Sequence, residues 1–149
     1  MKSLVVLVSY HHKNTQKIAD VFAKTLEAQI KTPQQTNPQD LDQYDLVGFG
    51  SGIYFGKHHK DLLELVESLQ VTDKKAFIFS TSGDTRNVSK LHLSLRKKLE
   101  SKGFKVVGEF NCAGFDTVGP LRLVGGIKKG KPDAEDIKNA EAFVKTLQK

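Results

Sequence analysis

Apolar positions along this chain come in short β-branched or aromatic runs, separated by stretches in which they recur every three or four residues. The run Leu4-Val5-Val6-Leu7-Val8 predicts a strand over Lys2–Ser9, buried on both faces. Ile18, Val21, Phe22, Thr25 and Leu26 then share one face, so a helix is expected from Asn14 to Ala28. Gln29–Thr32 has room only for a brief strand, and Pro33–Pro38 reads as loop because its two prolines resist both ladders and helix interiors. Leu41 and Tyr44 are expected to anchor a single turn. Leu46, Val47 and Phe49 predict a central strand over Asp45–Ser51, in which Gly48 and Gly50 weaken the strand signal. Asp61–Gln70 should be a helix burying Leu62, Leu63, Val66 and Leu69, and Lys75–Thr81 a strand built on Ala76-Phe77-Ile78-Phe79. Val88, Leu91, Leu95 and Leu99 mark a further helix closed by Gly103, followed by a last strand from Phe104 to about Asn111. Beyond a glycine-rich segment, Ala113–Pro132, the residues Ile137, Ala140, Phe143, Val144 and Leu147 line up as a final helix.

Strands alternating with amphipathic helices specify the α/β class, a parallel sheet covered on both faces in three layers, α/β/α. With right-handed crossovers, five strands in the order 2-1-3-4-5 are the most economical arrangement, and residues 1–149 are expected to form a single domain. The loops leaving the carboxyl ends of such strands gather on one edge, where ligands bind. Here those loops are Ser9–Thr15, Ser51–His59, Ser80–Asn87 and Cys112–Gly119.

Composition changes this picture little. Hydrophobic and charged shares of 38% and 27% are ordinary for a globular chain and argue against disorder. The net charge of +6 favours an acidic partner. The lysines around Arg96–Lys105 are interspersed with Glu100 and Glu109 and lack any nucleic-acid motif, which reads as a solvated helix face and not a nucleic-acid surface. The one cysteine, Cys112, excludes an intramolecular disulfide and any CxxC site and suits a reducing compartment; it reads as a small buried residue at a strand end. The apolar run after Met1 and Lys2 is too short for a signal peptide or a membrane span, so a cytoplasmic protein, monomeric by default, is expected.

The first of the edge loops carries the most chemistry. Backbone N–H groups at a helix start are partly positive, and Ser9, Asn14 and Thr15 add donors, so the turn can hold a phosphate, with His11, His12 and Lys13 supplying full charge. The plain alternative is a strand-to-helix loop with Asn14 or Thr15 as helix cap. The run Gly52-Ile-Tyr-Phe-Gly56-Lys57-His58 approaches a nucleotide triphosphate loop but has three residues between its glycines and no following Ser or Thr. Gly48, Gly50 and Gly52 imitate a dinucleotide fingerprint on the wrong strand. Ser9 and Ser51 stand where a phosphoacceptor regulator needs acids. The pairs His11-His12 and His58-His59 have no carboxylate or cysteine beside them to complete a metal shell. What remains is a phosphate cradle next to a loop in which Tyr54 and Phe55 can stack on a flat ring while Gly52 and Gly56 let backbone approach its edge.

These residues carry a resemblance. Ser9-Tyr-His-His-Lys-Asn-Thr15 resembles the phosphate loop of the flavodoxin family, one residue longer and without its glycine. Gly50-Ser-Gly-Ile-Tyr-Phe-Gly56 is similar to the loop covering one flavin face, and Ser80-Thr-Ser-Gly83 to the loop on the other side. Gly114-Phe-Asp-Thr-Val-Gly-Pro120 resembles a microbial subgroup of short-chain flavodoxin-like proteins. The resemblance implies non-covalent FMN and electron transfer between redox protein partners, with no catalytic side chain and no metal. By position, Ser9, His11, His12, Lys13, Asn14 and Thr15 would hold phosphate. Ser51, Gly52, Ile53, Tyr54, Phe55 and Gly56, with Ser80, Thr81, Ser82 and Gly83, would frame the isoalloxazine. The alternative is a flavin enzyme acting on a quinone or porphyrinogen. Members of the family are usually acidic; Lys57, His58 and His59 place positive charge beyond the flavin loop here, so the couple yielding the anionic reduced flavin is expected to be less negative than is usual.

Overall fold

The computed structural model describes residues 1–9, 14–114 and 132–148. Its strands are β1 (Ser3–Val8), β2 (Gln29–Lys31), β3 (Leu46–Tyr54), β4 (Lys57–His58), β5 (Lys75–Ser82) and β6 (Lys105–Ala113). They lie in the order β2-β1-β3-β5-β6, every neighbour parallel, with β4 paired antiparallel to the end of β3. Apart from β4, this is the expected 2-1-3-4-5 sheet. The helices are α1 (Asn14–Leu26), α2 (Lys60–Ser68), α3 (Val88–Leu91), α4 (Leu93–Ser101) and α5 (Ala134–Thr146), and among the described residues none is long and apolar enough to cross a membrane.

Alternation along β1 sorts the core into two layers. Leu4, Val6 and Val8 join Val47, Phe49 and Ile78 under Leu62 and Val66 of α2 and Leu95 and Leu99 of α4. Val5 and Leu7 join Phe77 and Phe79 under Ile18 and Phe22 of α1 and Ala140 and Val144 of α5. Phe22 is the hub of the second layer, its ring 5.1 Å from that of Phe79 and 5.4 Å from that of Phe77, both edge-on.

The glycines that weaken the β3 signal are what let this layer close. A Cβ on Gly48 would stand 2.3 Å from the Phe77 ring, and one on Gly50 2.2 Å from the Phe79 ring. The two phenylalanines lie flat across the glycine backbone, so the aromatic volume sits where a side chain on β3 would be.

Three boundaries differ from expectation. Strand β3 continues past Ser51 to Tyr54, turns at Phe55 and Gly56 (φ 53° and 80°) and returns as β4. Two successive left-handed residues make a tight two-residue hairpin, whose twist matches that of its strands. Helix α1 stops at Leu26 because Glu27 turns left-handed (φ 54°) and the Ala28 N–H bonds back to the Ala23 carbonyl at 2.9 Å. The single helix expected over Val88–Leu99 is broken at His92, which separates α3 from α4. Pro33–Gln35 and Pro38–Gln43 form two short 3-10 turns in which Leu41 is buried, as is Tyr44 just after them.

Candidate functional site

The carboxyl edge of the sheet brings the ends of β1, β3, β5 and β6 together. At the end of β1 the Ser9 hydroxyl accepts the Gln16 N–H at 3.2 Å, tying the strand to the first turn of α1. Asn14 and Thr15 are buried at that turn, which itself contains no acidic residue to offset the partial positive charge of the helix start. Gly114, just past β6, closes on Asn14: a Cβ there would come within 2.9 Å of the Asn14 amide nitrogen. The Thr15 and Thr81 hydroxyls share a hydrogen bond at 2.8 Å, linking the start of α1 to β5. His11, His12 and Lys13 lie outside the described residues.

The β3–β4 hairpin stands beside this turn. Ser51 is buried; its hydroxyl donates to the Gly52 carbonyl at 2.6 Å and accepts the His59 N–H at 3.0 Å, fixing where the chain re-enters α2. Gly52, Ile53 and Tyr54 are half-buried, and the Tyr54 ring lies edge-on to the His59 ring at 5.0 Å. His59 caps α2 through Nδ1, which accepts the Asp61 N–H at 3.0 Å. Phe55 and Gly56 form the tip, with Phe55 fully exposed in the left-handed region. A bulky residue there is strained, by roughly 1–3 kcal/mol, and gains no burial in return.

Ser80 and Thr81 are part of β5 and not of a loop, both buried, while Ser82 and Gly83 at its end are half-buried. The Ser80 side chain turns inward to a group that sequence reasoning missed: His92, Arg96, Glu109 and Asn111. The Ser80 Oγ is 2.6 Å from His92 Nε2, and His92 Nδ1 is 2.9 Å from Glu109 Oε1. Arg96 grips the same carboxylate through Nε at 2.7 Å and a terminal nitrogen at 2.8 Å. Asn111 Nδ2 donates to Ser80 Oγ at 2.8 Å and to Ser82 Oγ at 3.1 Å. Serine, histidine and glutamate are thus spaced like a hydrolytic triad, yet Ser80 and His92 are both 0% exposed and no substrate reaches the hydroxyl. The available signal was positional: His92 falls on the stripe of Val88, Leu95 and Leu99, where a polar residue must be buried with partners.

The positive charge expected at His58 is absent. The ring is buried, and desolvation first, then the neighbouring His92, lower its pKa from 6.5 to about 3. It is a neutral donor, bonded through Nε2 to the Phe79 carbonyl at 2.9 Å. Lys57 beside it is exposed. Among the described residues no group of three or more His, Cys, Asp or Glu could hold a metal ion.

A parallel sheet in this order, with a helix start and an aromatic hairpin at its carboxyl edge, defines a doubly wound α/β protein, a class in which ligands bind at that edge. The chain belongs to the flavodoxin domain family, whose model matches residues 5–116. It is 48% identical over 149 residues to an uncharacterised protein of Methanocaldococcus jannaschii, the match covering 100% of this chain and 99% of the relative. It is similar in fold to oxidised flavodoxin 2 from Bacillus cereus, with a TM-score of 0.75 at 18% identity, covering 99% of this chain and 98% of that one. It is also similar to the Fusobacterium nucleatum flavodoxin bound to flavin mononucleotide, with a TM-score of 0.70 at 14% identity, covering 99% and 98%.

Proposed function

We propose that this protein binds FMN non-covalently at the carboxyl edge of its sheet and carries electrons between redox proteins. The observation that supports this most is Phe55, a fully exposed aromatic ring held in a strained conformation on the hairpin that leaves the same sheet edge as the start of α1. Strain without burial is retained where a bound partner repays it. The donor set fits a phosphorylated planar ring: Ser9, Asn14, Thr15 and the α1 N-terminus suit the phosphate, and Tyr54 and Phe55 suit a ring face. FMN, when bound, supplies the one- and two-electron chemistry.

The chain's own residues then bind, orient and shield. The Gly52–Gly56 hairpin presents main-chain donors and acceptors as well as its rings, and the Ser82–Gly83 end of β5 borders the other side. Lys57 and the net charge of +6 favour an acidic reductase or acceptor. In stopped-flow mixing, the FMN-loaded protein is expected to take electrons from such a reductase and pass them to an acceptor protein, at rates that fall as salt rises. Rates indifferent to ionic strength would remove the docking assignment. Repeated turnover of menaquinone or a porphyrinogen by the protein alone would replace the carrier with an enzyme.

A further inference from the structure

We propose that His92 is a positioning residue that takes up a proton when negative charge arrives on the ligand at this edge, and that the change is transmitted through Ser80 and Asn111 to Ser82. This rests on the FMN reading above and adds to it a group that no loop motif contains.

The hydrogen-bond chain has a direction. Glu109, held as a carboxylate by Arg96, can only accept, so neutral His92 carries its proton on Nδ1 and offers the Nε2 lone pair to Ser80. The Ser80 hydroxyl must then donate to His92, which leaves its oxygen to accept from the Asn111 amide. Every member is satisfied except Asn111 Oδ1, a buried acceptor with no partner among the described residues. Exchanging Oδ1 with Nδ2 therefore breaks no bond of the oxygen's and makes an acceptor available to Ser80. With protons on both ring nitrogens, His92 donates to Ser80 Oγ, the Ser80 hydroxyl needs a new acceptor, and a half-turn of the Asn111 amide supplies Oδ1. The same half-turn withdraws the Asn111 donor from Ser82 Oγ, now 3.1 Å away, and faces it with an acceptor. Ser82 lies half-buried at the end of β5, where the sheet meets the ligand edge.

Among the described residues, the charged and titratable groups around His92 are few. Glu109 on β6 favours the imidazolium and Arg96 on α4 opposes it. His58 on β4, its ring 5.0 Å away, is neutral. Burial chiefly, with Arg96, lowers the His92 pKa, against the hydrogen bond and charge of Glu109, so the ring is neutral until a further negative charge appears nearby. Reduction supplies that charge: electrons from a low-potential donor such as dithionite enter the flavin, and the proton that forms the new N–H bond on His92 comes from solvent. Dithionite ends as sulfite and the flavin takes one solvent proton of its own on becoming the reduced anion, so the proton on His92 is one in addition to that.

The test uses full-length protein carrying 15N-labelled histidine, first checked for FMN binding by fluorescence and then observed oxidised and dithionite-reduced at neutral pH. His92 is expected to show an Nδ1–H neutral tautomer when oxidised and an imidazolium when reduced. In weakly buffered solution, His92→Gln is expected to consume a proton fewer per flavin reduced than the parent. In uniformly 15N-labelled Asn111→Leu the histidine is still expected to titrate, while the part of the Ser82 amide shift present in the parent and absent in His92→Gln is lost. Bound flavin with His92 neutral in both states, or proton uptake unchanged in His92→Gln, overturns this inference and leaves the carrier reading intact. A protein that binds no FMN overturns both. Should His92→Gln fail to fold, the labelled parent alone decides.

Discussion

Replacing Phe55 by asparagine is expected to stabilise the flavin-free protein by about 1–2 kcal/mol while weakening FMN binding about tenfold. The two effects come from one residue in two states. In the free protein Phe55 sits at φ 53° with its ring in solvent, so the native state bears the strain of a left-handed bulky residue and gains nothing from its surface. Asparagine followed by Gly56 is the sequence this two-residue hairpin prefers, and it relieves the strain without disturbing the Ile53–His58 and Tyr54–Lys57 pairs. Only a ligand stacked on the ring would notice the loss. Denaturant unfolding of the flavin-free forms and fluorescence titration of FMN measure the two sides. A variant that is less stable, or one that binds FMN as tightly as its parent, would show that the ring serves the fold instead.

Unfolding free energy is expected to fall steadily as pH drops from about 7 toward 3, by up to about 1.4 kcal/mol per unit for each proton taken up. His58 is the main source: its pKa is about 3 folded and 6.5 in its ordinary state, so throughout that window the unfolded chain holds a proton that the folded chain refuses. The stability from keeping it neutral is present above 6.5 and lost as pH falls through the folded value. His92, lowered chiefly by burial, acts in the same direction. So does Glu109: burial raises its pKa, but the hydrogen bonds from Arg96 and His92 outweigh that and hold it below 4.5, so its contribution is lost at the acid end. His58→Gln retains an amide donor for the Phe79 carbonyl and cannot titrate, so the slope between pH 6.5 and 4 should flatten by a proton's worth. An unchanged slope, or a His58 resonance that titrates above pH 5, would contradict this.

The sheet was legible in the chain because Leu4–Val8 and Ala76–Phe79 are apolar on both faces, a pattern that only a covered parallel strand satisfies. Gly48 and Gly50 were legible only as weakness, since the rings that require them, Phe77 and Phe79, come from a strand some thirty residues away. The hairpin at Phe55 was hidden for a different reason: phenylalanine disfavours a left-handed backbone, and nothing local announces that this one adopts it. His92 carries no local signal of its role, because its partners Ser80, Glu109 and Asn111 lie on two other elements of the sheet and meet it only in the fold. Ser9, Asn14 and Thr15 do converge with Thr81 and Gly114 at one edge, as the strand-to-helix pattern suggests they should.

Fluorescence titration of the purified protein with FMN and, in parallel, with riboflavin bears most directly on a phosphate held at the start of α1. FMN should bind stoichiometrically in the micromolar range or tighter, and riboflavin, lacking the phosphate, about tenfold more weakly or worse. Equal affinities for the two flavins, or FMN fluorescence that ignores the protein altogether, would contradict that assignment.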